Sequence, residues 1–300
     1  MNKRNITNLA LLVFILVVAG LAILDSTDEE ENKKPAITTL KQADVVNITV
    51  KRRGKKDIYL EKKNNQWRLI SPYNTATNQF RMDTLLRLVE TLPQSTYPLK
   101  ETAPYGLDTP LLEVVFNKDL PDTVSIKFGN SDPLKMRRYV AVNKKLHLTN
   151  DTYFYALNST ATDYINHKLL ADDFKITQLE LPKLKLVLEN NNWRAIPEPE
   201  NFSVDSVNEL ISEWNNAQAV DVSPINTKAQ FSNKQTVSLY SKDATRLTFY
   251  ILRNDKEFFL VDKLKGLQYS FPKEKQKLLL NLPDPVTAES EPTSPTIQKQ

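Results

Sequence analysis

Asn64-Asn65-Gln66-Trp67-Arg68-Leu69-Ile70 returns later in the chain as Asn190-Asn191-Asn192-Trp193-Arg194-Ala195-Ile196. Each copy is followed within two residues by a proline, Pro72 and Pro197. Two short strand-like runs precede each Trp-Arg. They are Val45 to Lys51 and Ile58 to Glu61, joined by a turn around Gly54, and then Ile176 to Leu181 and Leu184 to Leu188, with Pro182 between. Leu184, Leu186 and Leu188 alternate, as one face of a strand requires. Beyond each proline, apolar residues recur at helical spacing: Met82, Leu85, Leu86, Val89 and Leu92 before Pro93, then Val204, Val207, Leu210, Ile211 and Trp214. Ser203 and Asp205 are placed to cap the second helix. Further strands are expected at Leu111 to Phe116, Val124 to Phe128, Arg138 to Val142 and Leu146 to Thr149 in the first half. Their counterparts are Thr236 to Tyr240, Leu247 to Leu252, Glu257 to Val261 and Leu267 to Phe271. Each half reads β-β-β-helix-β-β-β-β. The expected fold class is α+β: two tandem β-rich repeats of mostly antiparallel strands with one main helix each.

Ahead of the repeats, Lys3 and Arg4 precede an apolar run from Ile6 to Leu24, broken only by Thr7, Asn8 and Gly20. As a helix this run would span roughly 28 Å, close to the hydrocarbon thickness of a bilayer. Basic residues before it and the acidic stretch Asp25, Asp28, Glu29, Glu30 and Glu31 after it orient the N-terminus to the cytoplasm. The expected organisation is a cytoplasmic N-terminus at 1–5, a transmembrane anchor at 6–24 and a charged tether at 25–35. The first repeat then runs over 36–170, the second over 171–282, and a disordered Pro/Ser/Thr/Glu-rich tail over 283–300. The competing reading of the anchor is a signal peptide cleaved after Ala22; the run is longer than an ordinary h-region, which favours an uncleaved anchor. No cysteine follows, so a lipid-modified cysteine anchor is excluded.

The chain of 300 residues contains no cysteine, which removes thiol nucleophiles, disulfides and cysteine-ligated metals together. Its two histidines, His147 and His167, have no metal-binding spacing and are expected at the surface. Five glycines, none clustered, leave no phosphate-cradling loop and no dinucleotide fingerprint. A net charge of +4 over this length does not call for a nucleic-acid partner. No catalytic, cofactor-binding or metal-ligating set is expected, and no cofactor.

Three features carry candidate roles. Trp67 and Trp193 are expected as the core anchors of their repeats, with the alternative that they form ligand grooves. The basic hairpin Lys51-Arg52-Arg53-Gly54-Lys55-Lys56 is a candidate contact for an anionic surface, against the plainer reading of a solvated turn offset by Asp57 and Glu61. Tyr105-Gly106-Leu107-Asp108 is expected to form a turn in which Gly106 supplies a backbone conformation that other residues resist. The Asn-x-Ser/Thr triplets at Asn47, Asn150 and Asn201 matter only in a host that glycosylates secreted proteins.

The strand pair leading into Trp67-Arg68, the helix ending at Leu92-Pro93, and Tyr105-Gly106-Leu107-Asp108-Thr109-Pro110 together resemble a known bacterial family. So do Phe128-Gly129, Tyr139-Val140, His147-Leu148-Thr149 and Leu169-Leu170. These elements are similar to the envelope proteins grouped as domain-of-unknown-function family 4340, over roughly residues 40 to 280. Lys135, Arg137 and Arg138 stand where glycines are common in that family. The resemblance implies a membrane-tethered extracytoplasmic protein, often encoded beside ABC-type transporter components, and no known reaction. The leading expectation is therefore a non-enzymatic accessory protein in the inner membrane that docks onto an ABC-type transporter or another envelope assembly. The alternatives are a lipid- or glycan-binding module with a groove between the repeats and, last, an envelope hydrolase. Open sheet edges leave homo-oligomer formation available.

Overall fold

The computed structural model describes residues 12–20, 35–133, 136–200, 202–226 and 235–284. Residues 12–20 of the apolar run form a helix, α1, with Leu12, Phe14 and Leu16 exposed. Among the described residues no helix is long and apolar enough to cross a membrane. The remainder of the 6–24 span, the tether up to residue 34 and the tail from residue 285 lie outside the described residues.

The first half contains β1 (Asn47–Arg52), β2 (Ile58–Lys63), β3 (Gln66–Ser71), β4 (Thr75–Ala76) and α2 (Gln79–Leu88). It continues through β5 (Ser95–Pro98), β6 (Leu112–Phe116), β7 (Val124–Ser131), β8 (Arg137–Val142), β9 (Lys145–Asn150) and α3 (Thr152–Leu157). The second half contains β10 (Ile176–Glu180), β11 (Lys185–Glu189), β12 (Asn192–Ile196), α4 (Val204–Asn215) and β13 (Asp221–Pro224). It ends in β14 (Thr236–Ser241), β15 (Arg246–Arg253), β16 (Glu257–Asp262), β17 (Leu267–Pro272) and α5 (Lys273–Leu280). The α+β class and the antiparallel sheets agree with the sequence reading. The β4, β5 and β13 strands and the α3 and α5 helices were not expected.

The repeated Asn-Asn pair owes its place to backbone geometry. Asn64 and Asn65 have φ of 49° and 62°, and Asn190 and Asn191 have 50° and 64°. Two consecutive left-handed residues make the hairpin turn whose twist matches that of the strands it joins, and asparagine tolerates that region best after glycine. The peptides Ser71-Pro72 and Ile196-Pro197 are both cis.

Sheet order shows the duplication more clearly than sequence does. The nine-stranded sheet runs β4-β3-β2-β1-β6-β7-β8-β9-β5, and the eight-stranded sheet runs β12-β11-β10-β14-β15-β16-β17-β13. Remove β4 and the two orders correspond strand for strand. In each half the strand after the helix crosses to pair with the last strand, β5 with β9 and β13 with β17.

Contacts gather the chain into two compact units that are not the two sequence halves. One comprises Met1–Lys55 with Asp83–Asn158, the other Lys56–Met82 with Ser159–Gln300. Within the second unit, the Asn78 N–H donates to Tyr164 O at 2.8 Å and Asn166 N–H to Ala76 O at 3.0 Å, and Thr77 bridges Ile165. These bonds tie the segment around β4 to the segment that leads into the second half.

The tryptophans of the repeated motif are not the core anchors they were expected to be. Trp67 and Trp193 are half-buried, while the residues two positions on, Leu69 and Ala195, are buried. The buried tryptophan is Trp214 on α4, fully enclosed, with Nε1 donating to Leu279 O of α5 at 2.8 Å. Phe249 packs with it at a ring separation of 6.4 Å. Met82, Leu85 and Leu88 on α2 and Val89 just past it are buried, whereas Leu92 is exposed because the helix ends at Leu88. Ser203 occupies the N-cap position of α4 but makes no side-chain capping bond.

Candidate functional site

The feature best suited to hold a ligand lies in the first unit, on the β5 edge of the nine-stranded sheet. The register aligns Thr96 with His147 and Val140, and Pro98 with Lys145 and Val142. Cross-strand partners share a face, so Thr96, Val142, Lys145 and His147 stand on one side of the sheet. Beside that face runs the segment entering from Pro35. Ile37 N–H donates to Thr91 O at 2.9 Å and Thr38 Oγ1 to Val89 O at 2.7 Å, which fixes it to the chain just past α2. An open cleft of about 580 Å3 lies there, lined by Pro35 to Thr39, Gln94 to Tyr97, Val142, Asn143, Lys145 and His147. This volume falls within the range of small-molecule sites. Its lining carries one permanent cation, Lys145, and no carboxylate.

His147 is not the surface residue expected from sequence. It is 3% exposed, and its Nδ1 lies 2.9 Å from Thr96 Oγ1. Its Nε2 is buried with no hydrogen-bond partner among the described residues. Burial first, and the Lys145 charge second, hold its pKa below that of an ordinary histidine, so the ring is neutral at pH 7. The second histidine, His167, is half-buried with Nδ1 3.1 Å from Ala219 O. Among the described residues no group of three or more His, Asp or Glu side chains is placed to hold a metal ion.

A buried ionic network closes the far end of β7 and β8. Arg138 donates through Nε to Asp151 Oδ1 at 2.5 Å, through Nη1 to Gly129 O at 2.6 Å and through Nη2 to Ser131 Oγ at 3.0 Å. Its guanidinium lies 3.6 Å from the centre of the Phe154 ring. Arg137 pairs with Asp132. The charges that depart from the family pattern at 137 and 138 are thus internally neutralised rather than presented outward.

The basic hairpin is divided by the structure. Arg52 is buried, and Lys51 pairs with Glu113 at 3.1 Å. Burial raises the Glu113 pKa, but hydrogen bonds from Ser125 and Lys51 outweigh it and leave the carboxyl below its ordinary value. Arg53, Lys55 and Lys56 alone are exposed, so five cations do not form one surface.

Tyr105-Gly106-Leu107-Asp108 does form the expected turn. Gly106, at φ 67°, ends the 3-10 turn Ala103–Tyr105. A Cβ there would lie 2.5 Å from Asn130 Oδ1, and one on Gly129 would lie 2.1 Å from the Tyr105 carbonyl oxygen. Both glycines let the loop lie directly on β7, where Leu107 packs with Ala141 and Leu146. Asp108 is exposed.

The sequence reading missed the cleft. Its elements come from three distant stretches, and β5, Ser95-Thr96-Tyr97-Pro98, is too short and polar to announce itself as a strand. The signal that was present is the pair Thr96 and His147, which becomes informative only once β5 is placed beside β9.

A family profile described as Domain of unknown function (DUF4340) matches residues 67–236, more than half of the chain. No curated protein and no solved structure matches it.

Proposed function

The chain belongs to the family described as Domain of unknown function (DUF4340), and on that premise we propose that it is a non-enzymatic, membrane-anchored accessory protein. In this reading residues 6–24 hold it in the inner membrane, the duplicated sheets stand outside the cytoplasm, and they dock onto an ABC-type transporter or another envelope assembly. The observation that carries the reading is the apolar run Ile6 to Leu24 between Lys3-Arg4 and the acidic stretch that begins at Asp25.

One sheet edge, that of β12, supports docking by strand addition. β5 and β13 each end in proline, Pro98 and Pro224, which removes a backbone donor and discourages pairing. β3 is covered by β4 through Arg68 with Ala76 and Leu69 with Thr75. Among the described residues its counterpart β12 ends the eight-stranded sheet with no such cover. An edge of this kind accepts an extended segment from another chain. Self-pairing of two copies about the middle of β12 would set Arg194 against Arg194, a like-charge pair that opposes a symmetric dimer.

The test is affinity purification of the tagged full-length protein in mild detergent, with mass spectrometry of the stoichiometric companions. The expected companions are ABC-type permease and ATPase subunits, with the protein resisting carbonate extraction from membranes. Recovery alone from the soluble fraction overturns both the anchor and the docking.

A further inference from the structure

We propose that the cleft beside Pro35 to Thr39 binds an oxyanion, a phosphate or carboxylate group, held by the Lys145 ammonium and the Thr96 hydroxyl, with His147 as the positioning residue. The site stands independently of the accessory reading.

The hydrogen bonding of His147 sets the argument. A neutral imidazole carries its proton on one nitrogen, and here Nδ1 faces Thr96 while Nε2 has no partner among the described residues. A proton on Nε2 would leave a buried N–H unsatisfied, which is rarer in proteins than an unsatisfied acceptor. The proton therefore sits on Nδ1 and is donated to Thr96 Oγ1. That bond occupies a lone pair of the hydroxyl and leaves the Thr96 O–H to donate elsewhere. Thr96 is exposed and lines the cleft, so its proton is available to a ligand there. Lys145 stands diagonally across from Thr96 on the same face, a separation that long side chains bridge. A hydroxyl donor and a cation on one face, with no carboxylate in the lining, match an oxyanion. Burial keeps the ring uncharged at neutral pH, so its single proton stays committed to Thr96.

Two sources of such a group are consistent with the position of the cleft. Ten residues, 25–34, separate the apolar run from Pro35. Fully extended they reach about 35 Å at most. A chain anchored through 6–24 would thus keep the cleft within range of phospholipid headgroups, and a free phosphate or carboxylate metabolite would reach it from solution.

Because the chain has only two histidines, imidazole 15N NMR of the labelled full-length protein in detergent reads the site directly, with His167 as internal control. Titrations with inorganic phosphate and with acetate, each against matched chloride, test the soluble source. Nanodiscs containing phosphatidylglycerol, compared with phosphatidylcholine, test the headgroup. The expected result is an Nδ1-protonated His147 whose resonances shift saturably in one of these arms, with His167 unmoved. Lys145→Met and Thr96→Val should each weaken that response about tenfold while the spectrum stays dispersed. Saturation by phosphate or acetate alone identifies a soluble ligand; a response confined to phosphatidylglycerol identifies a headgroup. No saturable shift at His147 in any arm overturns the proposal, as does a response unchanged in both variants or a proton found on Nε2.

Discussion

Trp193 and Trp214 illustrate how little residue type alone says about burial. Trp193 sits on an edge strand between exposed Asn192 and Arg194, so only part of its ring is covered. Trp214 lies on the inner face of α4, closed over by α5 and Phe249. Replacing Trp214 by alanine removes both transfer energy and a filled volume, at a cost of about 3–5 kcal/mol. Trp193→Ala should cost about half as much or less, since much of its ring already meets water. Urea denaturation of the two variants checks the order, and equal losses would restore Trp193 to the core role that sequence suggested. His147 yields a pH prediction at the same scale. Its folded pKa is depressed below the ordinary 6.5, so as pH falls the unfolded chain takes up the proton first. The stability from its neutral burial is complete above about pH 6.5 and is lost as pH falls through the lower folded value. His147→Gln should flatten the stability profile across that window, and an unchanged acid slope would contradict it.

At the scale of elements, the join of β7, β8 and the start of α3 depends on the Arg138–Asp151 pair, whose side chains are 4% and 9% exposed. Asp151→Leu or Arg138→Met leaves one buried charge without its partner and should cost about 3–5 kcal/mol. Arg138→Met combined with Asp151→Leu removes both charges, so its loss should be smaller than the sum of the single losses. Thermal or urea unfolding of the three variants measures this, and simple additivity would show that the pair is not coupled. Strands made of apolar, β-branched and aromatic runs, such as β1, β6, β14 and β16, were legible because their signal is local. β5 and β13 were not: four residues ending in proline carry no periodicity, and each forms only because a last strand, β9 or β17, offers it an edge. The α5 helix, Lys-Glu-Lys-Gln-Lys-Leu-Leu-Leu, is likewise settled by packing on α4 and β17 rather than by an amphipathic pattern.

At the scale of the whole molecule, the duplication could be read from one repeated heptapeptide because its causes are local: two asparagines that accept a left-handed turn and a strand pattern on either side. The longer strands and the two main helices, the antiparallel class and family membership were determined by sequence in this way. The grouping of residues 56–82 with the second half depends on hydrogen bonds such as Asn78 to Tyr164, between stretches far apart in the chain, to which no local pattern points. The same holds for the cleft, where Pro35 to Thr39, β5 and the β8–β9 hairpin meet around a histidine that sequence placed at the surface. Local backbone preference and periodicity therefore wrote the repeat into the sequence. Which tryptophan is core, which histidine is buried and where a ligand could sit were decided only by tertiary structure, because each depends on partners that the chain brings together from a distance.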